Sequence, residues 1–122
     1  MIRILLADDH APVRRGLRLL LESAANCQVC AEAEDGEEAV KLAAAHRPDV
    51  AILDLMMPGL SGIEAAQRIR AAVPSCEVAL VPMHDSDELM HAAFAAGARA
   101  YVLKSDAEQH LISAVHSLTA GA

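Results

Sequence analysis

A doubly wound α/β domain, five parallel strands with helices on both faces, is the fold class that this 122-residue sequence predicts. Two observations carry it. Short apolar runs alternate five times with longer segments of helical spacing, and parallel neighbours need crossover connections whose right-handedness lays the helices on both sides of a sheet. Four of the longer segments also open on a short oxygen-bearing side chain followed three residues later by Glu, the capping-box pattern. The length suits one domain with a proper core. With 54% hydrophobic residues, disorder is excluded.

The elements follow in order. Residues 2–7 read as the first strand and 13–25 as the first helix, which Pro12 can open without losing a hydrogen bond. Residues 29–33 and 37–46 come next, the helix announced by Asp35 and Glu38 and stopped before Pro48. The third pair, 50–53 and 63–73, is announced by Ser61 and Glu64 and stopped by Pro74. The fourth, 78–81 and 88–96, has Asp85 and Glu88 at its helix start and Gly97 as a left-handed cap. The fifth, 100–103 and 107–118, has Ser105 and Glu108, leaving a short tail that closes with Gly121 and Ala122. The strand order 2-1-3-4-5, that of a flavodoxin-like sheet, suits such a series.

Composition narrows the function. Seventeen acids against ten Lys and Arg give a net charge of −7, which repels a nucleic-acid backbone, so this chain is not expected to bind DNA by itself. No apolar run approaches the roughly 20 residues of a membrane span, and the start MIRILLADDH turns acidic too early for a signal peptide, so the cytoplasm is the expected compartment. Cys27 and Cys30 have the spacing of a redox pair, but such a pair opens a helix, whereas Cys30 enters a strand-like stretch. All three cysteines read as small apolar fillers.

The stretch DVAILDLMMPGLSG, residues 49–62, sets the functional question. Asp54 stands at the end of an apolar run that reads as buried on both sides, where an ionised carboxylate is expensive unless it is compensated. In a sheet of order 2-1-3-4-5 the winding reverses between the first and third strands, and ligands sit outside the carboxyl ends at that point. Those ends carry Asp8-Asp9 and Asp54. Three carboxylates in one cleft need a cation. Oxygen ligands favour magnesium or calcium, and too few ligands for a cage favour Mg2+, which keeps waters and shares itself with a phosphoryl group. Lys104, closing the fifth strand on the same edge, can reach an acid or a phosphoryl oxygen.

The ordered set of Asp8-Asp9, Asp54 with Met57-Pro58-Gly59, and Lys104 three residues after Tyr101 resembles a response-regulator receiver domain along the whole chain. DDH at 8–10, DLMMPGLSG at 54–62, MHD at 83–85 and GARAYVLKSD at 97–106 resemble receivers of the NarL/FixJ type, which usually precede a helix-turn-helix DNA-binding domain absent from this chain. The resemblance implies a two-component phosphoacceptor. Asp54 takes a phosphoryl group from a histidine kinase or a small donor; Asp9, Asp54 and the Met56 carbonyl hold Mg2+ directly, Asp8 through water; Lys104 pairs with the phosphoryl group. It also implies a possible homodimer, no activity as an enzyme beyond the chain's own phosphoryl transfer and slow dephosphorylation, and a Tyr101 that swings inward on phosphorylation. His10 and His84 are expected on the rim of the cleft.

One position departs from the pattern. Where the resembled family ends its fourth strand in Ser or Thr, this chain has Pro82, with neither hydroxyl nor N–H. The expectation is that Asp54 still accepts a phosphoryl group while the signal couples weakly to the fourth helix and Tyr101. Rival readings are weaker. A pseudo-receiver acting as a docking module fits Pro82 but not the intact acids and Lys104. A dehalogenase-like phosphohydrolase would place an Asp where Met56 stands, and a flavin-phosphate binder would want Ser, Thr and Gly where Asp8-Asp9-His10 stands.

Overall fold

The element order in the computed structural model, which describes residues 1–120, is β1 (Ile2–Ala7), α1 (Ala11–Glu22), β2 (Cys27–Ala33), α2 (Gly36–His46), β3 (Val50–Leu53), α3 (Gly62–Ala72), β4 (Glu77–Leu80), α4 (Asp87–Ala95), β5 (Ala100–Tyr101), a 3-10 turn (Lys104–Asp106) and α5 (Ala107–Ala120). The expected tail at Gly121 and Ala122 lies outside the described residues. All strands pair in parallel in the order β2-β1-β3-β4-β5, the flavodoxin-like arrangement the alternation of runs implies. No helix among the described residues is long and apolar enough to cross a membrane.

Two cores flank the sheet. Leu5, Ala7, Ala51, Leu53, Val78 and Leu80 face α2 and α3, while Ile4, Leu6, Val50, Ile52, Ala79 and Val81 face α1 and α5. This two-sided burial is why β1 and β3 read as continuous apolar runs rather than alternating ones. β2 departs from simple alternation: Ile4 pairs with Val29 but Leu5 pairs with Ala31, leaving Cys30 as an extra residue in a bulge. The bulge turns Cys27 and Val29 to one face and Ala31 and Ala33 to the other, matching their β1 neighbours. Cys27 and Cys76 are buried, and burial pushes the Cys76 thiol up to about 12, so both behave as inert fillers. Cys30 is half-buried on its strand.

Helix starts follow local chemistry, with three corrections. Asp35 accepts from the Glu38 amide at 2.8 Å, and Ser61 and Glu64 form a reciprocal capping box. The cap of α4 is Ser86 rather than Asp85: its backbone is extended and its hydroxyl accepts from the Leu89 amide, so Glu88 falls one position early for the box. Ser105 does not cap α5, because residues 104–106 are already a 3-10 turn running into that helix. α1 begins two residues sooner than expected and ends three sooner, where the Ser23 hydroxyl turns back onto the Leu20 carbonyl.

β5 is the shortest strand, and Pro82 supplies the reason. Successive amides along β4 face alternate sides, and Val81 donates to Leu53 on β3, so the amide missing at Pro82 would have faced β5. Beyond Tyr101 two bonds remain, Val102 donating to the Leu80 carbonyl and Lys104 to the Pro82 carbonyl at 2.8 Å. Gly97, with φ of 106°, closes α4 as a left-handed residue.

Candidate functional site

β1 and β3 end side by side. Ala7 pairs with Leu53, the Asp54 amide donates to the Ala7 carbonyl at 2.9 Å, and the Asp8 amide donates to the Ala33 carbonyl at 3.1 Å. Those bonds deliver Asp8 and Asp54 to the same mouth of the sheet. They are the two buried acids of the described residues, 1% and 6% exposed. α3 seals the other side, and it comes so near that a Cβ on Gly62 would sit 2.2 Å from the Asp54 carbonyl oxygen. Only glycine lets the helix start there.

Lys104 opens the 3-10 turn that follows β5. Its Nζ lies 3.1 Å from Asp8 Oδ2 and 3.1 Å from Asp54 Oδ1, so one ammonium spans both acids. Burial raises the Asp54 pKa above the ordinary carboxylate range and Asp8 and Asp9 push the same way, against the pull of Lys104. Burial alone would lower the Lys104 pKa, but the two carboxylates outweigh it and hold the ammonium charged. Of the two kinds of group that Lys104 was expected to reach, the structure shows it against the acids.

Asp8 Oδ1 accepts from the His10 amide at 2.9 Å, while Oδ2, although close to Lys104, accepts no hydrogen bond of good geometry among the described residues. A buried carboxylate oxygen with free lone pairs is what a cation would satisfy. Asp8, Asp9 and His10 offer ligand atoms within 4.8 Å of one another. His10 Nδ1 lies 3.3 Å from Asp9 Oδ1, but imidazole is poorly matched to a hard cation. The donor set that remains is oxygen, and it fits Mg2+. Asp54, across Lys104, is the further carboxylate on the same cleft.

Above Asp54 opens a cleft of about 360 Å³, walled by Leu55, Met56, Pro82, Met83, His84 and Leu89. His10 and His84 do line its rim, both exposed. Pro82 is buried at its edge and presents only carbons. Met56 is exposed, whereas Met57 and Leu60 pack into the core. Tyr101 is half-buried against the α3 side of the core, and its hydroxyl is enclosed with no partner among the described residues. Burial raises its pKa, and Asp85 and Asp87 add to the effect.

Sequence reading missed Arg14. Its Nη1 donates to the Asp8 carbonyl at 2.7 Å. No local motif announces such a reach.

Residues 4–116 match the family described as the response regulator receiver domain. Relatives include the response regulator UvrY of Escherichia coli O6:H1, 37% identical over 99% of this chain and 56% of UvrY, and the oxygen regulatory protein NreC of Staphylococcus epidermidis, 39% identical over 98% of this chain and 56% of NreC. The chain thus spans about half the length of the curated relatives it matches. The receiver domain of the response regulator NarL from Mycobacterium tuberculosis superposes with a TM-score of 0.93 at 33% identity, covering 99% of this chain and 98% of that one. A LuxR-family two-component response regulator from Aurantimonas gives 0.93 at 39% identity, covering 98% and 85%.

Proposed function

This chain belongs to the response regulator receiver family, and from that premise we propose that it is the phosphoacceptor unit of a two-component transcriptional regulator of the NarL type, with Asp54 as acceptor. One observation carries the reading. Asp54 is a buried carboxylate held 3.1 Å from a half-buried lysine at the point where the sheet's winding reverses, with Asp8 on the lysine's other side.

In the step proposed, an Asp54 carboxylate oxygen attacks the phosphorus of a kinase phosphohistidine in line. The P–N bond breaks, a P–O bond forms, and the imidazole, already protonated on its other ring nitrogen, leaves as the neutral ring. Asp8, Asp9, Asp54 and the backbone carbonyl of Met56 would hold Mg2+, which supplies charge neutralisation to a transfer that otherwise gathers negative charge among three carboxylates. Lys104 moves from its acid partners to the incoming phosphoryl oxygens and keeps that charge compensated. Leu55, Met56, Pro82 and Met83 wall the cleft through which the phosphodonor would reach Asp54. Nothing in this machinery turns over a separate substrate. It modifies itself and slowly reverts.

The output is proposed for the longer form of the protein by likeness to its relatives: a helix-turn-helix DNA-binding unit, in the cytoplasm, with homodimerisation as the route of control. Residues 1–122 are then one receiver unit, and its switching is weakened by Pro82.

Intact-protein mass spectrometry after incubation with Mg2+ and phosphoramidate tests the acceptor. The expected result is one added phosphoryl group that disappears on chelating the metal and in Asp54→Asn. A group that persists in Asp54→Asn, or none in the native chain, would overturn the reading.

A further inference from the structure

Arg14 lies one turn into α1 and reaches back over the acid cleft. Its Nη1 donates to the Asp8 carbonyl at 2.7 Å, its Nε donates to Glu32 Oε1 on the edge strand at 3.1 Å, and its Nη2 lies 3.7 Å from Glu34 Oε1. Arg18 grips Glu32 from the other carboxylate oxygen, so that anchor is itself fixed. The Arg14 side chain is only 14% exposed, low for a residue type that is mostly left in water. None of these contacts involves a carboxylate oxygen of Asp8, Asp9 or Asp54. What Arg14 holds is the carbonyl of the peptide that joins Asp8 to Asp9.

That peptide needs holding. Past Ala7 the chain leaves β1, bends at Asp9 and enters α1 at Ala11, so the Asp8 carbonyl has no strand to pair with while its side chain is buried. A flexible joint there would let two carboxylates that repel each other splay apart. Arginine's planar fork meets the carbonyl and Glu32 together, which the single ammonium of a lysine is not shaped to do. Groups behind metal-ligating carboxylates fix their orientation in this way.

We propose that Arg14 is a positioning residue for the divalent-cation site, clamping the Asp8–Asp9 peptide against β2 so that both carboxylates are preset for Mg2+. The inference rests on the reading that these acids hold Mg2+. Arg14 does not touch the ion.

Calorimetric titration of Mg2+ into the full chain decides it, comparing the native protein with Arg14→Ala, Arg14→Lys and Arg15→Ala. Arg14→Ala should weaken Mg2+ binding about tenfold or more, the scale found for groups behind a metal's ligands, and Arg14→Lys by several-fold. Arg15→Ala removes the same charge at the next, exposed position of α1 without touching Asp8 or Glu32, and should leave affinity within about twofold. Phosphoryl uptake against Mg2+ concentration should show the half-maximal concentration of Arg14→Ala displaced by the same factor, with the rate at saturating Mg2+ nearly unchanged. Native affinity in folded Arg14→Ala overturns the proposal, as does equal weakening in Arg15→Ala, which would mean that charge rather than position is what is lost. If Arg14→Ala does not fold, Arg14→Lys decides, and native affinity there overturns it. A native chain that binds no Mg2+ would defeat the functional reading itself, and this inference with it.

Discussion

Two stretches of the sheet's carboxyl edge, one where β1 meets β3 and one where β4 meets β5, are finished to different degrees. Where β1 meets β3 the Asp8 and Asp54 amides are both bonded, Asp8 Oδ1 has its donor, one ammonium spans the two buried acids and Arg14 secures the intervening backbone. Where β4 meets β5, the strand is two residues long, Pro82 offers neither hydroxyl nor amide, and the Tyr101 hydroxyl is enclosed without a partner. On the proposed function, the contrast teaches that receiving a phosphoryl group and reporting it are built from separate parts. On that reading the first set is complete, and the second lacks the atom that would connect it.

The largest effect separates the two edges outright. Asp54→Asn should abolish phosphoryl uptake, read by intact mass. It should also raise the melting temperature of the metal-free protein at neutral pH. The sign follows from the raised pKa of Asp54: the folded protein binds that proton more tightly than the unfolded chain, so the associated stability is present in acid and lost as pH rises past the ordinary carboxylate range. A melting temperature below that of the native chain would mean that Lys104 compensates Asp54 in full.

Next in size is Lys104→Ala. It leaves two buried carboxylates without their cation and should destabilise the metal-free protein by about 3 kcal/mol in denaturant unfolding. Mg2+ should restore part of the loss, because a ligand bound only to the folded state adds stability. A loss that Mg2+ cannot touch would show that the ammonium and the ion do not share a site.

Pro82→Thr addresses the unfinished edge. One charge-assisted hydrogen bond of about 1.5 kcal/mol shifts a two-state population roughly tenfold. The variant should therefore gain phosphorylation-dependent dimerisation relative to the native chain, as read by sedimentation. Smallest is Tyr101→Phe, which removes a hydroxyl that has no partner. It should change stability by less than about 1 kcal/mol, toward greater stability if anything, whereas a clear loss would reveal a hydrogen bond not seen here.

Much of this was readable in advance, and the parts that were not share a cause. Asp8, Asp9, Asp54 and Lys104 could be brought together from sequence because strand order alone decides which carboxyl ends are neighbours. Gly97 and Ser61 were legible because φ and capping are local properties. The bulge at Cys30 was not, since it reflects which face each side of β2 must cover. The shift of the α4 cap from Asp85 to Ser86 was decided by one residue's backbone conformation between two acceptable oxygens. Arg14 was hidden because its partners, Asp8 and Glu32, come from the turn after β1 and from β2. Local chemistry is written in the sequence directly, and long side-chain reaches are not.

The most direct test follows backbone amide shifts on forming the Mg2+–beryllofluoride complex, which mimics the phosphoryl group, in the native chain and in Pro82→Thr. The account predicts large shifts near Asp8, Asp54 and Lys104 in both proteins, with shifts spreading through α4 to Tyr101 strongly only in the variant. Equal spread in the native chain would contradict it, showing that the signal crosses the β4 edge without a hydroxyl at position 82.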